Sequence, residues 1–139
     1  MPNPIEVRLA TLEDLTFVAQ DQYIPNTIVQ RKIAEGEVFV AVSNGQLVGY
    51  LRLEHLWSIV PYIALIRVMP AYRHQGIGTA LLEFLVTTLR QRSHTFVYSS
   101  SQADEPDPQA WHRHMGFEEC GIIAGLNDGV GEIFFRKRI

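Results

Sequence analysis

The sequence predicts an α/β chain with an antiparallel first half and one strand-helix-strand crossover, and three stretches carry that prediction. VFVAVS and QLVGYLRLEHL flank Asn44-Gly45, a dipeptide that supplies the positive φ angles of a type I′ turn and so joins the two strands as a hairpin. PYIALIRVM is apolar at almost every residue, the composition of a strand covered on both faces. After it Ile77, Leu81, Phe84, Leu85 and Thr88, widened by Leu82 and Leu89, repeat with the 3.6-residue period of an amphipathic helix, which leads into a further strand, TFVYSSS.

The other elements follow in chain order. IEVRLA alternates like a strand, and Thr11 with Asp14 three residues later has the form of a capping box opening a helix that runs to about Gln22. Pro25 interrupts, and a second helix runs from an N-cap at Asn26 or Thr27 to a stop at Gly36. Beyond TFVYSSS, ADEPDP reads as a polar loop. Asp107 as N-cap, Pro108 at the first helical position and Gly116 after Met115 bound a short helix, PQAWHRHM. Two closing strands, about FEECGIIAG and GVGEIFFRKRI, are joined through Leu126-Asn127-Asp128-Gly129. No linker, repeat or low-complexity tract divides the chain, so one domain is expected over residues 1–139.

Composition narrows the function classes. At 139 residues and 47% apolar content a domain of this size buries roughly two thirds of its unfolded surface. The N-terminal stretch lacks a basic segment followed by a long apolar one, and no apolar run approaches the roughly 20 residues that span a bilayer. A soluble cytoplasmic protein with no membrane partner is therefore expected. The one cysteine, Cys120, can form neither an internal disulfide nor a thiolate metal cluster, which fits a reducing compartment. Net charge is −3, and the ten Arg and two Lys are scattered. That pattern argues against nucleic acid and favours a neutral or cationic partner.

RHQGIG, residues Arg73 to Gly78, lies between the apolar strand and the helix. A strand, a glycine turn and a helix N-terminus make an anion site, because free N–H groups and the positive end of the helix dipole point outward. A nucleotide P-loop is excluded, since Gly78 is followed by Thr79-Ala80 instead of Lys-Ser/Thr. A dinucleotide fingerprint fails at Leu81, where a third small residue is needed, and again about 20 positions on, where HTFVYSS offers no acid.

The wider stretch VMPAYRHQGIGTALL resembles the acyl-CoA-binding motif of the GNAT superfamily of acetyltransferases, with Val68, Pro70, Tyr72, Arg73, Gly76 and Gly78 matching residue by residue. A second family signature, a short aromatic helix ending Gly-Phe, is matched by Ala110, Trp111, Gly116 and Phe117. The resemblance covers essentially the whole chain. It implies a mixed, mostly antiparallel central sheet of about seven strands flanked by about four helices. It also implies acetyl-CoA as cosubstrate. The pyrophosphate would be surrounded by the backbone of Gln75, Gly76, Ile77, Gly78 and Thr79, with Arg73 adding charge and His74 contributing backbone. The pantetheine arm would be bound by main-chain groups of Ile66, Arg67 and Val68, where that strand splays from TFVYSSS.

The implied reaction is N-acetyl transfer to a primary amine, by direct attack in a ternary complex. It needs a neutral amine, a polarised thioester carbonyl and a proton for the departing thiolate. In the family the last role often falls to a tyrosine four residues before the glycine of Gly-Phe. Here that residue is His112. It either protonates or hydrogen-bonds the CoA sulfur, or packs beside the cofactor while water supplies the proton. Residues 59 to 69 contain no carboxylate. The nearest candidates for a general base are Glu54 and His55, facing opposite sides at the end of the preceding strand. Glu54 is expected to take the amine proton through a water, unless it is only a solvated strand-end carboxylate. His112 and His114 are two apart on a helix and point about 200° from each other, so no metal is expected there. Trp111 is expected in the core or beside the cofactor. Asp21, Tyr23, the ADEPDP loop, Asn127 and Asp128 are expected to form the acceptor site, and their acidity suits a small cationic amine. A non-catalytic acyl-CoA-binding module of the same fold is the alternative. A homodimer through an exposed strand edge is left open.

Overall fold

A computed structural model describes residues 4–139. The elements are β1 (Ile5–Leu9), a 3₁₀ turn (Leu12–Asp14), α1 (Leu15–Val18), α2 (Asn26–Ala34), β2 (Val38–Ser43), β3 (Gln46–Leu56) and β4 (Val60–Val68). A second 3₁₀ turn (Pro70–Tyr72) precedes α3 (Ile77–Gln91), β5 (Phe96–Gln102), α4 (Pro106–His114), β6 (Glu118–Asn127) and β7 (Val130–Arg138). Seven strands form one sheet in the order β1-β2-β3-β4-β5-β7-β6. The pairs β1-β2, β2-β3, β5-β7 and β6-β7 are antiparallel, and β4 with β5 is parallel, in register at Tyr62 and Tyr98. This is the mixed, mostly antiparallel sheet with four helices that the sequence led us to expect. Among the described residues no helix is long and apolar enough to cross a membrane.

The chain forms two compact units. The first comprises the chain up to Glu54 together with Leu65–Leu85. Its core gathers Ala10, Val18, Val29, Ile33, Val38, Val40 and Tyr50, with Phe17, Leu65 and Met69 against them. The apolar stripe of α3 contributes Ile77, Leu81, Leu82 and Leu85, none more than 2% exposed, each contributing about 2 kcal/mol through burial. The Asn44-Gly45 turn has φ of +51° and +77°, as a type I′ hairpin requires.

The buried charged groups of this unit, Asp14, Lys32, Glu37 and Arg52, are each paired with an opposite charge. Asp21, whose side chain is 1% exposed, accepts both terminal nitrogens of Arg52 at 2.9 Å and the Tyr50 hydroxyl at 2.7 Å. Burial pulls the Asp21 carboxyl upward, but the donors from Arg52, Tyr50 and the Tyr23 amide outweigh it and hold the pKa at about 2. Lys32 donates to the Leu53 carbonyl at 3.0 Å and pairs with Glu54 at 2.8 Å.

The second unit comprises His55–Ala64 and Val86–Ile139. Val97, His112, Phe117, Ile133 and Phe135 are buried there, while β6, last in the sheet, is exposed from Glu118 to Leu126. The closing hairpin turns through Asp128 and Gly129, at φ of +50° and +92°.

Three details differ from the sequence reading. The first helix stops at Val18, short of Gln22, because Gln22 takes φ +59° and the Asp21 carboxylate caps the Tyr23 amide at 3.0 Å. α2 and α4 begin one to two residues early, at Asn26 and Pro106; Pro106 fills the first helical position, where proline needs no N–H partner. β4 is not covered on both faces: only Pro61 and Ile63 are buried and Ala64 is exposed. The doubly covered strand is β2, buried at every position but one.

Replacing Asp21 by Asn leaves the Arg52 guanidinium buried without its counter-ion and is expected to cost about 3 kcal/mol, read as a fall in the urea midpoint at pH 7. The Asp21 pKa is depressed on folding, so its contribution is present above about pH 4 and is lost as the pH falls toward 2. Across that window the wild type is expected to lose more stability than Asp21→Asn, and equal losses would refute the assignment.

Candidate active site

In the first unit the sequence builds an anion-ready loop at the end of β4. The Met69 amide bonds to the Val48 carbonyl at 2.9 Å, pinning the strand end to β3. The 3₁₀ turn follows, with the Tyr72 hydroxyl donating to Gln46 Oε1 at 2.7 Å. His74 at φ +63° and Gly76 at φ +84° then reverse the chain into α3. The Ala80 amide closes the first turn of α3 onto Gly76 O at 3.0 Å. The amides of Ile77 and Gly78 come before it, in the turn where a helix has no acceptors of its own. Arg73 Nε bonds to the Val68 carbonyl at 3.3 Å, which holds this exposed guanidinium at the loop. A Cβ on Gly76 would meet nothing within 4 Å, so the loop's outer side is open. A helix N-terminus with its positive dipole end, an open glycine turn and one arginine are a donor set that fits a pyrophosphate.

One residue that matters here escaped the sequence reading. A Cβ on Gly49 in β3 would lie 2.9 Å from the Arg67 carbonyl and 3.1 Å from Ile77 Cγ2. A bare glycine inside a strand is the signal that backbone approaches closely. Ile66, Arg67 and Val68 are half-buried on β4. The Arg67 side chain reaches the Tyr50 hydroxyl, whose pKa burial and the bond to Asp21 push up to about 12, against the pull of Arg67.

Glu54, the expected base, is not an isolated strand-end carboxylate. Its side chain is half exposed and one oxygen sits 2.8 Å from the buried Lys32 ammonium. Asp21 is likewise occupied, by Arg52 and Tyr50, and does not offer the acceptor a free charge. Tyr23 and Asp128 are exposed.

In the second unit, α4 carries His112 into the core, 3% exposed. Its ring stacks on Phe135 at 4.6 Å and meets Phe117 edge-on at 5.2 Å. Nδ1 lies 2.8 Å from the Pro108 carbonyl and Nε2 2.7 Å from Ser99 Oγ. A carbonyl only accepts, so Nδ1 carries the proton and Nε2 accepts from the Ser99 hydroxyl. Burial, aided by Arg113 and opposed by the Pro108 carbonyl, lowers the His112 pKa to about 4. At neutral pH the ring is uncharged, with both nitrogens bonded. Trp111 is half-buried against His112 and Phe117, and His114 is exposed. Ser101 Oγ, on the same face of β5, is buried without a partner.

The opposite face of β5 holds a polar chain that the sequence did not reveal. The Tyr62 hydroxyl lies 2.5 Å from Ser100 Oγ, Ser100 donates to Glu132 Oε2 at 2.5 Å, and Asn127 Nδ2 donates to Glu132 Oε1 at 2.9 Å. Period-2 alternation puts Ser100 and Glu132 on one face of their strands, but the β5-β7 register that brings them together cannot be read from either strand alone.

A mixed sheet with one strand-helix-strand crossover and a glycine turn leading into its long helix is the arrangement expected of a GNAT-type acyltransferase. The chain belongs to that family: the family model "Acetyltransferase (GNAT) family" matches residues 7–117. It is 32% identical over 119 residues to an N-alpha-acetyltransferase, RimI, of Mycobacterium tuberculosis (strain ATCC 25618 / H37Rv), covering 83% of this chain and 73% of the relative. Its fold is similar to the crystal structure of Ard1 from Thermoplasma volcanium, with a TM-score of 0.86 at 17% identity over 97% of each chain. It is also similar to a Bacillus anthracis acetyltransferase solved in complex with acetyl coenzyme A. There the TM-score is 0.68 at 21% identity, over 73% of this chain and 61% of the other.

The neutral His112 fixes a pH signature. Its pKa falls on folding, from about 6.5 to about 4, so the unfolded chain takes up a proton first and stability is lost as the pH drops from about 6.5 toward 4. The loss is expected to reach about 3 kcal/mol and to be much smaller in His112→Phe, as measured by urea unfolding at pH 7 and pH 4.5. Parallel pH profiles for the two proteins would refute it.

Proposed function

We propose that residues 1–139 act as one GNAT domain that transfers the acetyl group of acetyl-CoA to a primary amine of a small cationic acceptor, by direct attack in a ternary complex. The observation that supports the donor half is the loop from Arg73 to the first turn of α3, with positive φ at His74 and Gly76, an open outer side and the Arg73 guanidinium held at it. Arg73, His74, Gln75, Gly76, Ile77, Gly78 and Thr79 are the proposed pyrophosphate residues. Main-chain groups of Ile66, Arg67 and Val68 are proposed for the pantetheine arm. When bound, acetyl-CoA supplies a thioester carbonyl as electrophile and a thiolate as leaving group.

The roles of His112 and Glu54 follow from what each already touches. His112 is proposed as a positioning residue that holds Ser99, in place of an acid at the sulfur, because a neutral ring with both nitrogens bonded has no proton to give at pH 7. Glu54 is proposed as the counter-ion of Lys32, and an unaltered pH-rate profile in Glu54→Gln is the expected result.

Acetyl-CoA at 100 times its dissociation constant is expected to stabilise the protein by about 2.7 kcal/mol, seen as a rise in Tm. Arg73→Glu is expected to weaken acetyl-CoA binding at least tenfold, while shifting the ligand-free stability by no more than about 0.5 kcal/mol. No rise in Tm for the wild type would end the proposal. Turnover of His112→Phe is expected within tenfold of wild type, whereas loss of a general acid costs about 100-fold or more. A loss of that size would return His112 to the acid's role.

A further inference from the structure

We propose, resting on the amine-acetyltransferase reading above, that Tyr62, Ser100 and Glu132 form the path by which the acceptor's ammonium gives up its proton, with Asn127 holding the carboxylate in place. The chain of bonds has a direction. Ser100 has one hydroxyl proton and donates it to the Glu132 carboxylate, which can only accept. Tyr62 must then donate to Ser100. The phenol oxygen keeps its lone pairs for a donor from outside, and an ammonium is such a donor.

Glu132 differs from the other buried or half-exposed carboxylates. Among the described residues Asp14 sits on Arg8, Asp21 on Arg52, and Glu37 and Glu54 on Lys32. Glu132 is held by two neutral donors, one on each oxygen, so its charge is oriented without being cancelled. A carboxylate offers about four lone-pair sites, of which these bonds use two. Tyr62 is half-buried and its ring stacks on Phe134 at 5.8 Å, which fixes the phenol in place. The cluster therefore suits a primary ammonium that arrives charged and must leave neutral.

The step balances as follows. One N–H proton of the ammonium passes to Tyr62 Oη while the phenol proton moves to Ser100 Oγ and the serine proton moves to Glu132 Oε2. The ammonium becomes a neutral amine and the carboxylate a carboxylic acid. The amine lone pair forms a C–N bond at the thioester carbonyl, and the C–S bond breaks with its electron pair on sulfur. The second N–H proton leaves to the thiolate or to water, and Glu132 later releases its proton to solvent.

The test measures thiol release from acetyl-CoA with two probe acceptors at neutral pH: benzylamine, which is an ammonium there, and aniline, which is already neutral. Glu132→Gln is expected to lower kcat/KM for benzylamine about 100-fold and for aniline less than tenfold, with the acetyl-CoA-induced rise in Tm unchanged. Ser100→Ala, which removes the middle link and leaves the carboxylate, is expected to show the same contrast and serves if Glu132→Gln does not fold. Equal losses with both probes would show a merely structural role, and an undiminished benzylamine rate would show none. Either result overturns the proposal, as does a wild type that acetyl-CoA stabilises but that releases thiol with neither probe. A wild type that acetyl-CoA does not stabilise at all marks instead the failure of the donor reading beneath it.

Discussion

The loop proposed to hold the acyl donor depends on a side chain that is missing. Gly49 lets the Arg67 carbonyl and the Ile77 side chain come to positions that a Cβ would meet at 2.9 and 3.1 Å. One of those neighbours is backbone and the other is the first, buried residue of α3, so neither can yield cheaply. The neighbouring bond from the Met69 amide to the Val48 carbonyl fixes the strand end in the same place. Between these two restraints the chain has only Pro70 to Gly76 in which to reverse and start a helix, and it does so with His74 and Gly76 at positive φ. The helix therefore begins beside the glycine turn, and its first turn holds the donors that a helix cannot satisfy from within.

The first unit and the second handle buried polarity in opposite ways. Up to Glu54 the buried charges are neutralised in pairs: a bidentate Arg52 on Asp21, and Lys32 between Glu54 and Glu37. Such pairs are costly to break and poor at chemistry, because each partner already has its counter-charge. In the second unit β5 separates by its alternation a neutral network from one that holds a single carboxylate on neutral donors. Ser99 faces His112, and Ser100 faces Tyr62 and Glu132. Hydroxyls relay protons where ion pairs hold them, so the second unit is the place to look for proton movement.

What the sequence made legible divides along the same line. Local signals are legible: Asn44-Gly45 as a hairpin, α3 from its period, Gly36 and Gly116 as helix stops, and a glycine turn leading into α3. These depend on residues within a few positions of each other. Groups joined by long-range register were invisible. Nothing near Asp21 announces Arg52, 31 residues away, and nothing near Ser100 announces Glu132, 32 residues away. Hence Asp21 and Glu54 looked free in the sequence and are paired in the fold. The apolar composition of β4 predicts cover on both faces, but composition reports hydrophobicity without saying what packs on each face, and the strand is half-buried along most of its length.

The replacement of the family's tyrosine by His112 is easier to accommodate once the two protons of the reaction are weighed. A free alkylammonium titrates near a lysine, at about 10.4, so at pH 7 the neutral amine costs about 5 kcal/mol. A thiolate leaving group titrates near 8.5, so leaving it unprotonated costs only about 2 kcal/mol at the same pH. Removing the ammonium proton is the larger demand, and water can meet much of the smaller one. A chain that buries a neutral imidazole at the acid's position gives up the lesser contribution. It keeps an oriented, uncancelled carboxylate for the greater one.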